Sequence, residues 1–306
     1  EKILVNNNFK NLSFDVGFLV YNGKNYPVFS KLLKILKVKS IESNMSFSVS
    51  NKANSFEYGS NGILSTTNNF KNIFKIKFWT MLKEIKRFYK VSNNILKYDK
   101  NAFDKSVRSF LIKYRFNKIF INEHFLPMCG AIWSIPFNKV LKMPMHTILI
   151  FFQNHGLLSF FGKPQWKTIL GGSKNYVDAL SKKINGSIYI NEKVINVSRK
   201  KNSIIIKSKN FVKKFDKVIF ATHADDTLKL IKKPSYSEKK ILSLCKYESN
   251  HIFVHQDIKF MPNSKKSWSS WNVLINDDSN NHNICVTYWI NKLQDIKSDK
   301  TLSEVN

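Results

Sequence analysis

Cysteine is scarce in this 306-residue chain: Cys129, Cys245 and Cys285 stand far apart. Their number is odd and no C-x-x-C or other zinc spacing occurs, so neither a disulfide framework nor a thiolate metal site is indicated. A reducing compartment suits such usage, with each thiol a small packed hydrophobe. Long apolar runs are also missing. The most apolar stretch, residues 148–161, is broken by Gln153, Asn154, His155 and Gly156, and each piece falls well short of the roughly 20 residues that a membrane span needs. It reads as a buried or an interfacial helix. No signal-peptide pattern opens the chain, which starts at Glu1.

Several catalytic signatures are absent as well. There is no G-x-G-x-x-G, no Walker A loop and no G-x-S-x-G elbow, so phosphate cradling and hydrolase chemistry have no anchor. Glu123-His124 invites comparison with H-E-x-x-H, but the second histidine is missing. His251 and His255 lie four apart in a strand-like segment, where they would merely share a face. No metal is expected.

Acidic residues number 21 against 50 Lys and Arg, a formal net charge of +29. One reading is an acidic partner: nucleic acid, anionic lipid or an acidic substrate. The other is composition bias, because Lys, Asn, Ile and Phe are all abundant and all have AT-rich codons. The basic pairs Lys182-Lys183, Lys213-Lys214 and Lys232-Lys233 are scattered. A hydrophobic content of 43% marks a globular chain with a sizeable core.

The chain opens on a hairpin pattern around Asn6, Asn7 and Asn8 that leads through Phe14 to Gly17. Phe29, Leu32, Leu33 and Leu36 recur at helical spacing. Residues 68–122 read as largely helical, with Phe103, Val107, Phe110, Leu111 and Tyr114 forming one apolar stripe. After Gly171-Gly172-Ser173, the residues Tyr176, Val177, Leu180 and Ile184 predict an amphipathic helix with Ser173 as its N-cap. Strands are predicted over 187–190, 193–198, 203–208 and 216–222, followed by a helix over 225–231. Residues 252–254 and 284–289, rich in β-branched and aromatic side chains, predict strands again.

One ordered series of segments is more specific. Asp15-Val16-Gly17-Phe18-Leu19-Val20-Tyr21-Asn22 is followed by Tyr26-Pro27, Asn44-Met45-Ser46-Phe47-Ser48-Val49-Ser50, Leu126-Pro127-Met128 and Ala131-Ile132-Trp133-Ser134. Then come Gln165-Trp166-Lys167-Thr168-Ile169, Gly171-Gly172-Ser173 with Tyr176-Val177, and Ala221-Thr222-His223-Ala224-Asp225. Trp268, Trp271-Asn272, Val286-Thr287-Tyr288-Trp289, Asn291 and Leu293-Gln294 close the series. In this order the segments resemble the FAD-dependent oxidoreductases of the flavin-containing amine oxidase family, in particular a bacterial group of NAD/FAD-binding proteins.

The resemblance implies FAD as cofactor and an α/β (α+β) fold: a Rossmann-like FAD-binding part, incomplete, interleaved with a helical and β-sheet substrate part. Family members begin with a glycine-rich βαβ unit that seats the pyrophosphate, which would precede Glu1, and end with a glycine-rich segment that does not follow Gln294. The chain is therefore expected to be a fragment cut at both ends, binding FAD poorly by itself. Residues 1–25 and 163–235 are assigned to the FAD-binding part, and residues 26–162 and 236–306 to the substrate part.

The resemblance also implies the site. Asp15, Gly17, Gly171, Gly172, Val194, Ala221 and Thr222 are the expected cofactor-binding residues. Small residues at 171–172 and 221–222 let backbone approach a flat ring; tight packing alone accounts for Gly171 and Gly172 equally. Val194 matches a position that offers backbone groups to adenine, or is an ordinary core residue. Trp133, His223, Trp268, Trp271, Tyr288 and Trp289 are the expected substrate pocket, with core packing the competing account of each. No acid, base or nucleophile is assigned.

Two functions follow. One is a flavin-dependent oxidoreductase passing hydride from an apolar (lipid or acyl) or amine substrate to FAD. The other is a non-catalytic basic module on nucleic acid or an anionic membrane surface, although no specific nucleic-acid motif is present. The expected location is cytoplasmic, with docking at the inner face of the membrane an open option.

Overall fold

The computed structural model describes residues 13–60, 74–98, 105–160, 162–247, 249, 251–276, 283–298 and 301–305. The hairpin around Asn6–Asn8, Phe103 of the apolar stripe and Phe161 lie outside them. The chain has a mixed α/β fold that divides by its contacts into two units, residues 1–180 with 251–306, and residues 181–250.

The strands are β1 (Tyr21–Asn22), β2 (Ser40–Ser43), β3 (Phe47–Asn51), β4 (Phe56–Gly59), β5 (Trp166–Ile169), β6 (Val194–Lys200), β7 (Ser203–Ser208), β8 (Val212–Phe215), β9 (Phe253–His255), β10 (Trp271–Asn276), β11 (Asn283–Trp289) and β12 (Ser303–Val305). In the first unit a six-stranded sheet has the order β4-β3-β10-β11-β12-β9. Its neighbours are antiparallel except β3 and β10, which run parallel.

Alternation sorts this sheet's faces. Val49, Val273, Ile275 and Val286 point into the helical core, where all are buried. The helix Ile76–Tyr98 adds Phe78, Met81, Ile85, Phe88 and Ile95, spaced three, four or seven residues apart. Phe88 lies within 6.2 Å of the rings of Phe110, Phe116, Phe120, Phe125 and Phe152, edge-to-face or tilted as aromatic quadrupoles prefer. The apolar helix Met145–Asn154 belongs here: Ile148, Leu149 and Phe152 are buried. Of its two readings, the buried one holds. Among the described residues no helix is long and apolar enough to cross a membrane.

The opposite face is polar yet buried, because residues 257–270 cover it and meet its groups. The Glu57 carboxylate accepts from Ser50 Oγ (2.9 Å) and from the backbone of Asn263 (3.0 Å) and Ser264 (2.9 Å). Thr287 Oγ1 donates to the Phe260 carbonyl at 2.7 Å. Asn272 accepts from Ser48 Oγ and donates to the Ser269 carbonyl, both at 2.7 Å. Each buried polar atom so engaged avoids a desolvation penalty of about 1–3 kcal/mol.

A smaller sheet, β1-β5-β2, packs on the helix Pro27–Ile35 through Tyr21, Leu33, Ile169 and Phe29. Pro27 opens that helix, where its missing N–H costs nothing.

The second unit holds the antiparallel sheet β6-β7-β8 and the helices Ala224–Leu230 and Tyr236–Leu242. A capping box between Ser235 and Glu238 starts the latter. Among the described residues of this unit the buried apolar side chains are Val197 and Ile231. Two expectations are corrected here. Residues 187–190 and 216–222 form no strand, and the strand lies at Val212–Phe215 instead. An apolar run becomes a strand only when a ladder partner takes its backbone groups, and Ile219 in the second run is 93% exposed.

Candidate functional site

Asp15 and the Gly171-Gly172-Ser173 turn, far apart in sequence, meet in the structure. The Asp15 carboxylate accepts the Ser173 N–H at 2.8 Å, just before the helix Lys174–Ser181. Gln294 grips Asp15 from both sides, taking its N–H at 2.9 Å and donating to its carbonyl at 2.6 Å. Gly171 and Gly172 have φ of +76° and +88°, and a Cβ on Gly171 would fall 2.7 Å from Asn175 Nδ2. These glycines are therefore required by the turn itself. A Cβ on Gly172 would stand 3.6 Å from the Asp15 carboxylate oxygens, which already occupy the positive end of the helix. Gly17 differs: it is exposed, with nothing within 4 Å of where a Cβ would lie. Asp15 and Asn175 thus close the Gly171-Gly172 turn, while Gly17 is open to solvent.

Of the expected pocket residues, three come together beside the helical core. Trp271 and Tyr288 meet edge to face at 5.1 Å, and Trp133 packs against the same helical core. Trp133 packs on Phe151 at 5.0 Å. Burial pushes the Tyr288 phenol above its ordinary pKa. Trp271 Nε1 is buried without a hydrogen-bond partner among the described residues. Trp289 follows Tyr288 in the same strand and so faces the other way. It meets Trp268 at 5.4 Å, whose Nε1 is bound to the Pro262 carbonyl at 2.8 Å. The structure does not bring that pair to Trp133.

Val194, Ala221, Thr222 and His223 belong to the second unit. Val194 opens β6 at an irregularity in register. Thr222 Oγ1 bonds Thr227 Oγ1 at 2.7 Å, and His223 stacks on Tyr247 at 4.2 Å. His223, Asp225 and Asp226 bring one ligand atom each within 4.8 Å of one another. Both carboxylates also contact Lys229, and acids in a first helical turn with a lysine in the last complement the helix dipole.

A polar cluster around Glu123 escaped the sequence reading. Glu123 and His124 lie in a π-helical segment, Ile121–Phe125, between the helices Lys118–Phe120 and Leu126–Trp133. The Glu123 carboxylate, 6% exposed, takes Lys77 Nζ at 2.6 Å and the side-chain amides of Asn54 (2.8 Å) and Asn51 (3.2 Å). Tyr58 O–H bonds His124 Nδ1 at 2.7 Å. Burial, aided by the charge of Lys163, holds His124 down at about 3, so it is neutral, and the Tyr58 hydroxyl also reaches the Glu123 carbonyl at 3.1 Å. The cluster ties the β3–β4 hairpin to the helices. Lys77 lies 46 residues from Glu123, so no local motif announces it.

No protein-family model matches the chain, and no curated protein matches its sequence. Solved structures do resemble it. Putrescine oxidase, in a structure bound to putrescine, has a TM-score of 0.62 at 12% identity, over 93% of this chain and 62% of its own. The CLA-producing fatty acid isomerase from P. acnes has a TM-score of 0.59 at 9% identity, over 95% and 64%. Cyclohexylamine oxidase from Brevibacterium oxydans IH-35A has a TM-score of 0.56 at 10% identity, over 94% and 62%. The fold is that of part of a flavin-binding oxidase, and the chain spans less than two thirds of the length of these neighbours.

Proposed function

We propose that the protein is a flavin-dependent oxidoreductase acting on an apolar or amine-bearing substrate. The observation that carries this reading is the flavin-binding oxidase fold, joined to an exposed Gly17 two residues beyond Asp15, whose backbone Gln294 holds. FAD, when bound, supplies the hydride acceptor.

The chain's own residues orient and enclose. Gln294 and the Gly171-Gly172-Ser173 turn fix the Asp15 loop, so that Gly17 offers bare backbone to a ring. Val194, Ala221 and Thr222 are the proposed cofactor contacts of the second unit. Trp133, Trp271 and Tyr288 form the proposed substrate wall, where apolar surface excludes water and the Trp271 Nε1 N–H is free to donate to a substrate heteroatom.

The test is anaerobic mixing of the FAD-containing protein with primary amines and with long-chain fatty acids, followed by flavin absorbance. Bleaching by members of one class is expected. A flavin that no member of either class reduces would contradict the substrate reading.

A further inference from the structure

The face of the six-stranded sheet that carries Trp271 and Tyr288 also carries a buried acid. Register across β3, β10, β11, β12 and β9 puts Phe47, Trp271, Tyr288, Glu304 and Val254 side by side in one row. Residues so opposed share a face, with Cβ atoms about 5 Å apart. Glu304 is 3% exposed, between the aromatic Tyr288 and the aliphatic Val254. Ser48, Glu57 and Thr287 lie on the opposite, polar face, whereas Val49, Val273 and Val286 share the face of Glu304. Burial raises the Tyr288 phenol above its ordinary pKa, and the Glu304 charge adds to the rise. The row ends near the Asp15 loop. Tyr288 and Val254 belong to an apolar cluster against which Val16, between Asp15 and Gly17, is packed.

We propose that the Glu304 carboxylate anchors a cationic nitrogen of the substrate, which makes the substrate an amine. The inference rests on the flavin-oxidoreductase reading, with Trp271 and Tyr288 in the substrate wall. A carboxylate held among aromatic and aliphatic side chains gains most from a partner of opposite charge. An ammonium group is such a partner, and aromatic rings like those of Trp271 and Tyr288 attract the same cation. A fatty acid would instead set a second carboxylate beside Glu304, and like charges in a poorly solvated site repel strongly. An alkyl chain suits the aromatic wall in either class, so the acid decides between them.

The test is titration calorimetry of the full-length protein with n-hexylamine, n-hexanol and hexanoate, which share one alkyl chain. Hexylamine should bind about tenfold or more tighter than hexanol, with hexanoate weaker still. Glu304→Gln should weaken hexylamine about tenfold or more while hexanol stays within about twofold, and Glu304→Asp should recover part of the loss. Urea midpoints establish that the variants fold, and Glu304→Leu serves as a second uncharged variant should Glu304→Gln fail to. Undetectable hexylamine binding, equal affinity for amine and alcohol, or tighter binding of hexanoate would each overturn the proposal. So would an uncharged variant that loses amine and alcohol alike, since a merely structural carboxylate affects both ligands. The heat of binding does not depend on flavin reduction, so failure of the anchor is distinguishable from failure to carry flavin, which the visible spectrum reports.

Discussion

Removing the buried charge pair at the π-helical turn should destabilise the first unit by a calculable amount. Lys77 Nζ and the Glu123 carboxylate are 2.6 Å apart, with side chains 27% and 6% exposed. Breaking a fully buried pair costs about 3–5 kcal/mol, but Lys77 lies near enough to water to rehydrate if its partner goes. Lys77→Met leaves the carboxylate with the amides of Asn51 and Asn54 alone, so the expected cost is about 2–3 kcal/mol. Glu123→Gln keeps the volume and one acceptor oxygen, but presents an N–H to amides that need an acceptor; about 1–2 kcal/mol is expected. The pair acts as a unit, so the double variant should cost less than the sum, with a coupling of about 1.5 kcal/mol. Urea unfolding of the four proteins measures this. A coupling under about 0.5 kcal/mol would refute the view that this cluster fastens the β3–β4 hairpin to the helices.

Gly172→Ala forces a side chain onto φ of +88° and should cost about 1–3 kcal/mol in urea unfolding, whereas Gly17→Ala should stay within about 0.5 kcal/mol yet weaken FAD binding. His124 titrates near 3 in the folded chain against 6.5 ordinarily. The unfolded state therefore binds more protons between these values, and stability falls as pH falls through that window. His124→Asn, a neutral side chain that can still hydrogen-bond Tyr58, should flatten that acid-side decline; an unchanged slope of urea midpoint against pH would contradict the assignment. Trp271→Phe removes an N–H with no partner in the fold and should raise KM roughly fivefold for a substrate with a heteroatom at that position, with kcat unchanged.

Local patterns made much of the fold legible. The apolar stripes from Trp79 to Tyr114 became the helices Ile76–Tyr98 and Val107–Lys113, and β7 was found residue for residue. The β-branched and aromatic run at 284–289 became β11. Long-range pairing stayed hidden. Val49 of β3 lies beside Val273 of β10, and Asp15 reaches Ser173 across 158 residues; neither partner carries a mark of the other. Runs 187–190 and 216–222 have strand composition but no ladder, because composition does not supply a partner. In the candidate site, adjacent Tyr288 and Trp289 necessarily part to opposite faces once β11 forms. Glu123-His124 matched no complete motif, and their neighbours Asn51, Asn54, Tyr58 and Lys77 come from a hairpin and a helix distant in sequence.

The central claim is that the full-length protein holds FAD, and the most direct test is the visible spectrum of the full-length protein purified from the cells that make it. Flavin absorbance that co-purifies with the protein, and FAD identified by chromatography after denaturation, is the expected result. Protein that emerges colourless and gains no flavin bands on incubation with excess FAD would contradict it.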